Sequence, residues 1–243
     1  MRINAEGMHY RFLNTKINSA LEDGRVKISL VGVCGQRYIG AGLKKTGVQI
    51  AVSGIPGNDL GVFMDGPEIT VSGNVQDGAG NTLNSGRIII HGNSGDILGH
   101  SMRGGEIFVK GDVGYRVGIH MKEYRDSCPV IVIGGSARSF LGEYMAGGMI
   151  ILLGLKKDRR VVGDFLGTGM HGGVIYVRGS VDVHQLGKEV KVFKTDGRDL
   201  LRIKIYVERF AEYFGFSSDR ILKERFLKII PITHRPYGKL YSY

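Results

Sequence analysis

The stretch from Val48 to Met121 reads, in successive frames, VQIAVSGIPGNDLGVFMDG, PEITVSGNVQDGAGNTLNSG, RIIIHGNSGDILGHSMRGG and EIFVKGDVGYRVGIHM. Two sets of glycines recur in it at every nineteenth position: Gly54, Gly73, Gly92 and Gly111, and Gly61, Gly80, Gly99 and Gly118. A fixed period of this length is typical of repeat proteins, in which each unit is too small to fold alone and stacks on its neighbours. The stretch therefore predicts a solenoid.

Each unit contains one short strand and, after a glycine, a pair of apolar residues. Before the first glycine, β-branched residues alternate as in a strand: Ile50-x-Val52, Ile69-x-Val71, Ile88-x-Ile90 and Ile107-x-Val109. After that glycine comes an apolar pair: Leu60 and Met64, Ala79 and Leu83, Leu98 and Met102, Val117 and Met121. Since no room remains for a helix of three turns, the unit predicts an all-β solenoid, a parallel β-helix whose like side chains stack roughly 4.8 Å apart.

The repeat extends beyond this stretch in both directions. An earlier rung is predicted from Gly35 and Gly42, which precede Gly54 and Gly61 by the same interval, and looser rungs begin at Val130, Ile150 and Ile175. We expect about eight rungs at this strand spacing, all within residues 26–183 of a single domain that spans residues 1–243. The general bias of parallel crossovers predicts a right-handed coil.

Other elements are expected at both ends of the solenoid. Residues 8–23 have apolar residues every four positions and predict an amphipathic helix that caps the first rung. Residues 184–243 form a helical and extended tail, whose apolar end is expected to lie against another surface. The predicted elements of the tail are a helix over Asp199–Phe214, a stop at Gly215 and a short helix from Ser217 or Ser218 through Phe226.

One side of every strand must face away from the core. The residues predicted to point outward are apolar in most rungs: Ala51, Thr70, Ile89, Phe108, Ile131, Ile151 and Tyr176. A solvated face would be polar, so this outer column must be covered, either by the chain's own terminal helices or by another subunit. Insertions at Lys122–Cys128 and Lys156–Arg160 lengthen two rungs, and insertions in solenoids often form a binding face.

The glycine spacing also permits a phosphate-binding interpretation. The segment Gly167–Gly172 fits the pattern G-x-G-x-x-G. A dinucleotide-binding loop must open a helix, however, and the residues that follow, Val174–Arg178, alternate like a strand. The glycines are therefore expected to form tight corners, where they adopt positive φ or allow one rung to approach the next closely.

The composition favours a soluble cytoplasmic protein that binds neither nucleic acid nor membranes. The net charge is +10, but residues 186–243 hold 13 Lys and Arg against seven Asp and Glu, so most of the excess lies in the tail. There the cations alternate with acids, which is typical of a solvated face or an acidic protein partner. Two cysteines are too few for a cysteine-ligated cluster or a structural zinc site. The lack of a signal peptide or a long apolar run adds to the cytoplasmic expectation.

The sequence supports no catalytic residue, cofactor site or metal site within this chain. The most regular candidate is the column Asn58, Asp77 and Asp96, which occupies equivalent turn positions in three successive rungs. Stacked carboxylates could bind Ca²⁺ or act as the acid and base of a carbohydrate-active β-helix enzyme. Asn and Asp are also ordinary turn residues beside glycine, and that interpretation is favoured.

Histidines and cysteines suggest no site either. His100 and His120 fall on different columns, and His171 and His184 stand alone, so no ligand cluster is visible. Neither Cys34 nor Cys128 has a base nearby in sequence, and no serine lies in a nucleophile elbow.

Five segments carry a resemblance to a known family. They are GQRYIGAGL (Gly35–Leu43), GNDLGVFMDG (Gly57–Gly66), GNVQDGAGNTLNSG (Gly73–Gly86), GDVGYRVGIHMKEY (Gly111–Tyr124) and KIIPITHRPYG (Lys228–Gly238). Together they resemble the glycine-repeat (GXGXG) domain at the C-terminus of the large (alpha) subunit of glutamate synthase. The chain looks like a free-standing, archaeal-type form of that domain, and the resemblance covers nearly all of it.

The resemblance implies a structural role in glutamate biosynthesis and ammonia assimilation. In that family a glutaminase part releases ammonia, and an FMN-dependent synthase part with an iron–sulfur cluster consumes it. The β-helix packs against both and supplies no catalytic side chain. This chain is therefore expected to bind no cofactor and to have a glutaminase subunit and an FMN-dependent synthase subunit as partners. A related subunit of formylmethanofuran dehydrogenase is the alternative, and a carbohydrate-active enzyme is a more distant one.

Overall fold

The chain forms a coil in which each turn contributes one strand to a parallel sheet. The computed structural model describes residues 1–156 and 160–232. The strands are β1 Arg2–Asn4, β2 Lys27–Cys34, β3 Gln49–Ile55, β4 Asp65–Val71, β5 Ser85–Ile90, β6 Glu106–Val109, β7 Val130–Ile133, β8 Ala146–Leu152, β9 Gly172–Arg178, β10 Val190–Lys194 and β11 Phe226–Pro231. The helices are α1 Tyr10–Glu22, α2 Gly197–Phe214 and α3 Ser218–Leu222, with a 3₁₀ turn at Val183–Gln185. All the strands belong to one sheet, in the order β1-β2-β3-β4-β5-β6-β7-β8-β9-β11-β10.

The interior of the coil consists of stacked apolar columns. The inward residues of β3 to β9 pair in register: Ile50, Ile69, Ile88, Ile107, Ile131, Ile150 and Ile175. Two further buried columns are Leu60, Ala79, Leu98, Val117, Leu141 and Leu166, and Met64, Leu83, Met102, Met121, Met145 and Met170. The predicted parallel β-solenoid is confirmed. Its eight parallel strands β2–β9 are joined by about seven turns, because each turn links two strands.

The first rung is longer than the sequence period predicts. Ile28 of β2 pairs with Ile50 of β3, whereas Ile50 pairs with Ile69 of β4, so the first rung has three extra positions. An irregularity within β2 absorbs part of the difference, and Val33 rather than Gly35 pairs with Gly54. The predicted equivalence of Gly35 and Gly54 is therefore wrong.

The corner of the first rung is shifted in the same way. The N–H of Gly61 donates to the carbonyl of Ile39 at 2.8 Å, just as the N–H of Gly80 donates to the carbonyl of Leu60 at 2.8 Å. Gly40, which follows Ile39, is consequently the counterpart of Gly61. The spacing of nineteen between Gly42 and Gly61 is therefore accidental and does not mark equivalent positions.

The outward residue of β7 also differs from the prediction. Phe108 pairs with Val132, and Ile107 pairs with Ile131, so Val132 points outward and Ile131 points into the core. The segment Val130–Ile133 is continuously apolar and buried, so its sequence does not show which side faces inward. The inserted loop before β7 removes the regular register that would have resolved the ambiguity.

The N-terminal end of the coil is covered by α1 and β1. α1 begins two residues later and ends one residue earlier than the predicted range 8–23. Its apolar face, with Leu13, Ile17 and Leu21, is buried against the first rung. β1 adds a parallel strand to β2, and Gly24 follows the helix with φ of +83°.

The tail continues the sheet and also covers it. β11 pairs antiparallel with β9, and β10 pairs antiparallel with β11. The short predicted helix does not reach Phe226, since α3 ends at Leu222 and Phe226 begins β11. The apolar end of the tail thus pairs with β9 from Phe226 to Ile229, and β11 continues beside β10 to Pro231. Residues 233–243, with the end of the motif at Lys228–Gly238, lie outside the described residues.

α2 lies across the outer face of the sheet. The hydroxyl of Tyr176 on β9 donates to Asp199 near the start of α2, and His91, just after β5, contacts Phe214 at the end of α2. Buried apolar residues on the outer face of the sheet pack with α2, α3 and the start of β11 in one cluster. Its members are Ile89, Phe108, Val130, Val132, Met149, Ile151, Leu153, Tyr176, Ile203, Val207, Phe210, Phe214, Ile221 and Phe226. Of the two predicted covers for the outer column, the chain's own helix is therefore the one found from β5 to β9.

Candidate interaction surface

The predicted column of turn residues holds neighbouring rungs together. The side chain of Asp77 accepts a hydrogen bond from the backbone N–H of Asp96, and the side chain of Asp96 accepts one from the N–H of Tyr115, each at 2.8 Å. Asn58 begins the column, and its backbone carbonyl accepts from the N–H of Tyr38 at 3.1 Å. The carboxylates thus satisfy backbone donors of the next rung, as turn residues do. This geometry favours the structural interpretation over an acid–base pair.

A second column of the same kind lies three residues earlier in each rung. Asn74 accepts from the N–H of Asn93, and Asn93 accepts from the N–H of Asp112, each at 2.8 Å. Asp112 accepts from the N–H and the hydroxyl of Ser136. Burial alone would raise the pKa of Asp112, but these bonds and the Lys156 ammonium lower it. This ladder was not predicted from the sequence, although its residues directly follow the regularly spaced glycines Gly73, Gly92 and Gly111.

These ladders explain the paired glycines in the repeat. A Cβ atom at Gly95 would lie 2.1 Å from Oδ1 of Asp77, and one at Gly114 would lie 2.0 Å from Oδ1 of Asp96. Each glycine therefore leaves the space through which the oxygen of the previous rung reaches a backbone N–H. The spacing G-xx-G serves hydrogen bonding between rungs.

Metal-ligand geometry is not found in the described part of the chain. Across residues 1–156 and 160–232, no three His, Cys, Asp or Glu side chains lie close enough to hold a metal ion. His100 and His120 do come together, with ring centroids 6.0 Å apart. Burial and the neighbouring His120 lower the pKa of His100. His171 contacts the carbonyl of Gly169 at 3.1 Å, and His184 lies in the 3₁₀ turn.

Both cysteines are free and exposed. The thiol of Cys128 is partly desolvated and lies 3.6 Å from a carboxylate oxygen of Glu123. Desolvation and this carboxylate raise the pKa of Cys128 to about 11. The side chain is therefore a protonated thiol at neutral pH, which is the opposite of an activated nucleophile.

The corner of each turn has an unusual backbone. Three alternate residues have positive φ, namely the corner glycine and the residues two positions before and after it. The triplets are Tyr38, Gly40 and Gly42; Asp59, Gly61 and Phe63; Gly78, Gly80 and Thr82; Ile97, Gly99 and Ser101; Arg116, Gly118 and His120; Phe140, Gly142 and Tyr144; and Phe165, Gly167 and Gly169. We call the surface formed by these triplets the αL edge.

The central position of each triplet must be glycine for a steric reason. A Cβ atom at Gly99 would lie 2.5 Å from Cδ1 of Ile131, and one at Gly118 would lie 2.7 Å from Cδ1 of Ile150. These isoleucines belong to the inward column of the sheet. The αL edge therefore lies across the core from the strands, on the side of the coil opposite to α2.

Many of the flanking positions of the triplets carry large side chains instead, among them Phe63 and Phe165. Phe63 is 56% exposed and Phe165 is 53% exposed, and both have left-handed backbone. Such a conformation costs a residue with a Cβ atom roughly 1–2 kcal/mol. Since these rings are only half buried, about half of their apolar surface is available for burial against another chain.

Several of these side chains form an aromatic cluster in the last three turns. We define it by Arg116, His120, Phe140, Tyr144 and Phe165. The rings of Phe140 and Phe165 stack at 4.9 Å, and those of His120 and Tyr144 stack at 5.4 Å. The guanidinium of Arg116 lies 4.6 Å from the centre of the Phe140 ring. Arg116 also pairs with the buried carboxylate of Glu143. Partly exposed aromatic and arginine side chains in strained backbone are the kind of feature that points to a binding surface.

The two predicted insertions lie at opposite ends of the strands. Lys122–Cys128 precedes β7 and includes Glu123, whose carboxylate accepts from the N–H of Gly148 at 3.0 Å. The insertion at Lys156–Arg160 follows β8, where Lys156 pairs with Asp112 at 3.4 Å. Residues 157–159 of this insertion lie outside the described residues. Neither insertion is part of the αL edge.

The helices of the described chain do not resemble membrane spans. None of them is both long enough and apolar enough to cross a bilayer.

Comparisons with known proteins agree with the repeat and with the fold. The GXGXG motif family matches residues 11–232, which confirms the expected resemblance to GXGXG domains. An uncharacterized protein of Methanocaldococcus jannaschii is 49% identical over 249 residues, which cover 99% of this chain and 95% of that protein.

A solved structure is similar in its three-dimensional arrangement. It is a chain of the formyltransferase/hydrolase complex of Methylorubrum extorquens, determined in complex with methylofuran. The TM-score is 0.68 at 22% sequence identity, and the match covers 88% of this chain and 76% of that chain. Similarity at this identity establishes a common fold.

Proposed function

This chain belongs to the GXGXG motif family, and we propose that it is a non-catalytic structural subunit of a multi-subunit oxidoreductase complex. The observation that carries the proposal is the αL edge. Bulky flanking side chains such as Phe63 and Phe165 are half exposed although their backbone is strained. Burial against a partner subunit would add to the stabilisation that ring stacking and the Arg116–Glu143 ion pair give these residues within the chain.

The internal geometry supports a structural role. The regular Asp and Asn side chains connect rungs, Cys128 is held as a thiol, and the paired His100 and His120 have no third ligand among the described residues. A solenoid whose rungs are joined in this way is a stiff axis. In a complex, such an axis would keep two catalytic sites at a fixed distance.

The first candidate complex is glutamate synthase. It is supported by the segments Gly111–Tyr124 and Lys228–Gly238, which resemble the GXGXG domain of that enzyme. The partners would be a glutaminase subunit and an FMN-dependent synthase subunit, which would hold the FMN and the iron–sulfur cluster. Assembly on this chain would let ammonia pass between them, and the complex would be cytoplasmic.

The second candidate is a formylmethanofuran dehydrogenase or a related formyl-transferring complex. The similar solved chain comes from a formyltransferase/hydrolase complex, and this comparison supports the second candidate more directly than the first. Both candidates assign the same structural role to the chain and differ in its partners.

The apolar outer column gives no reason to expect a partner from β5 to β9. The apolar outer column, for which another subunit was one of the two expected covers, is covered by α2 from β5 to β9. The expectation of a partner now rests on the αL edge and on the family.

Purification of the chain from its native cell, followed by identification of the associated proteins, tests the proposal. Glutaminase and FMN-dependent synthase subunits are the result expected for the first candidate. Molybdenum or tungsten formyl-transfer subunits would establish the second. Recovery of the chain alone, or of filaments made only of it, would contradict both.

Activity measurements on the isolated chain provide an independent check. We expect no flavin absorbance and no release of ammonia from glutamine by the purified chain. If it hydrolysed a polysaccharide, and if Asp77→Ala combined with Asp96→Ala abolished that activity, the structural proposal would be replaced by the carbohydrate-active alternative.

A further inference from the structure

α2 has a second stripe of side chains that faces away from the sheet. Arg198, Leu201, Arg202 and Ile205 occur at the spacing i, i+3, i+4 and i+7, which places them along one side of the helix. Leu201 is 66% exposed and Ile205 is 50% exposed. We call these four residues the α2 stripe. Its two apolar side chains alternate with two guanidinium groups.

The cations of the α2 stripe differ from other cations of the same helix. Lys204 pairs with Glu208 at 3.7 Å, and Arg209 pairs with Glu106 of β6. Among the residues that the structure describes, neither Arg198 nor Arg202 has a carboxylate within ion-pair distance. The stripe is therefore a positively charged surface whose charges are not neutralised by the described chain.

A groove lies beside the α2 stripe, between α2 and the beginnings of β8 and β9. Its floor includes Gly148 and Gly173, which have no side chains to fill it. Apolar and aromatic walls are formed by Met149, Val174, Ile205 and Tyr206, and Arg202 stands at its border. The carboxylate of Glu123, at one end, is already engaged by the N–H of Gly148. An apolar side chain of a bound segment could enter the groove while an adjacent carboxylate of that segment pairs with Arg202.

We infer that the α2 stripe and this groove form a docking surface for an acidic segment of a partner subunit, in which apolar side chains are flanked by carboxylates. The inference rests on the proposed function, since it names the chemistry of one partner contact. The αL edge lies on the opposite side of the core. Two contact surfaces on opposite sides would allow the chain to connect two subunits.

The charges and the shape favour this occupant over two others. Residues 233–243 contain Arg235 and Lys239 and no acidic residue, so their charge has the same sign as that of the α2 stripe. A helix that binds a membrane surface directs its large apolar face toward the lipid. The large apolar face of α2, with Ile203, Val207 and Phe210, is instead buried against the sheet.

The test uses the full chain and the separately purified subunits of the two candidate complexes. Dissociation constants are measured for the wild type and for the variants Arg202→Glu and Leu201→Asp, at low and high salt. Lys204→Glu is the matched control, because it reverses a charge on the same helix but outside the stripe. We expect Arg202→Glu and Leu201→Asp each to weaken binding at least tenfold, and Lys204→Glu to change it less than twofold.

Salt should distinguish a charged contact from an apolar one. The wild type should lose affinity as salt is increased, because the ion pairs are screened, and Arg202→Glu should lose much less. Circular dichroism of each variant checks that the fold is unchanged, as expected for substitutions at exposed positions.

The outcomes separate this inference from the function on which it rests. If no subunit of either complex binds the wild type, both are contradicted. If a subunit binds all variants equally, the chain is a structural subunit but the docking surface is wrong. Loss of binding to phosphatidylserine vesicles in the stripe variants alone would assign the stripe to a membrane. A chain ending at Ile232 that binds a subunit tenfold more tightly than the full chain would assign it to residues 233–243. Either result would overturn the inference.

Discussion

The sheet side of the coil and the αL edge are built from the same repeat but use their side chains in opposite ways. On the sheet side, even the outward residues are buried from β5 to β9, because α2 covers them. At the αL edge, flanking side chains such as Phe63 and Phe165 are half exposed and their backbone has positive φ. The stability of the chain explains the residues on the sheet side. At the edge it explains the central glycines, while the half-exposed rings at the flanking positions are where the proposed partner would bind.

The largest difference is expected between two phenylalanines on the two sides. Phe210 of α2 is fully buried and packs against Phe214 with ring centroids 4.7 Å apart, whereas Phe165 of the αL edge is half exposed. Phe210→Ala should lower the free energy of unfolding by about 4 kcal/mol, because it removes apolar contacts and leaves a cavity. Phe165→Ala should change it by no more than about 1 kcal/mol.

Urea-induced unfolding, followed by circular dichroism, measures both variants under the same conditions. Equal losses of stability for the two variants would show that the αL edge is held together as firmly as the covered sheet. The contrast between the two sides would then be wrong.

A second comparison lies within a single corner. Gly99→Ala should lower the free energy of unfolding by about 3 kcal/mol, because its Cβ atom would lie 2.5 Å from Ile131 Cδ1 at a residue with φ of +66°. Ser101→Gly, at the flanking position with φ of +52°, should stabilise the chain by up to about 1 kcal/mol. Urea midpoints of the two variants should therefore move in opposite directions. A neutral Gly99→Ala variant would contradict the steric account of the corner.

The buried contact between α2 and the sheet also predicts a pH dependence. Asp199 accepts from the hydroxyl of Tyr176 at 2.6 Å and pairs with Lys228 at 2.9 Å. Burial alone would raise the pKa of Asp199, but the bonds from Tyr176 and from the N–H of Asp196, together with Lys228, lower it. The ionised carboxylate therefore stabilises the folded chain above the unfolded pKa of about 3.9, and this stabilisation is lost as the pH falls through the folded value.

Asp199→Asn tests this dependence. At pH 7 it should lower the free energy of unfolding by about 2 kcal/mol, since Lys228 loses its partner. The difference from the wild type should stay constant down to about pH 5 and shrink below about pH 4. A difference that grew on acidification would mean that the pKa of Asp199 is raised rather than lowered.

The smallest effect on stability is expected from the Asp and Asn side chains that accept hydrogen bonds from the next rung. Asp96→Ala removes the acceptor for the N–H of Tyr115 and should cost about 1 kcal/mol, whereas Asp96→Asn keeps an acceptor and should cost less. Urea-induced unfolding of both variants provides the comparison. If Asn were as destabilising as Ala, the charge rather than the hydrogen bond would be the important property.

The core could be predicted because the repeat reports it several times. Ile107 and Leu98 occupy positions that are apolar in every clear rung, so one misread position does not change the result. At two places where the chain departs from the regular period, β2 and β7, the predicted register was wrong. β2 contains an irregularity, and β7 is apolar at all four positions, so neither strand shows its own register in its sequence.

The position of α2 over the sheet and the positive φ values of the αL edge were harder to predict, for different reasons. The periodicity of α2 indicated an apolar face, but where that face docks depends on contacts between residues far apart in the sequence, such as that of Arg209 with Glu106. Positive φ at Phe140 or Arg116 cannot be read from residue type, because these residues rarely adopt it. The only visible signal was the spacing G-x-G in some rungs, as at Gly78-x-Gly80.

The exposed side chains of the αL edge are proposed to serve a partner subunit rather than the fold. Phe165→Gly tests this proposal most directly, because glycine removes the ring and relieves the backbone at φ of +62°. We measure the urea midpoint of the variant and its dissociation constant for the subunit that copurifies with the wild type. The free energy of unfolding should stay within about 1 kcal/mol of the wild type, while the affinity should fall at least tenfold. Unchanged affinity at unchanged stability would contradict the claim.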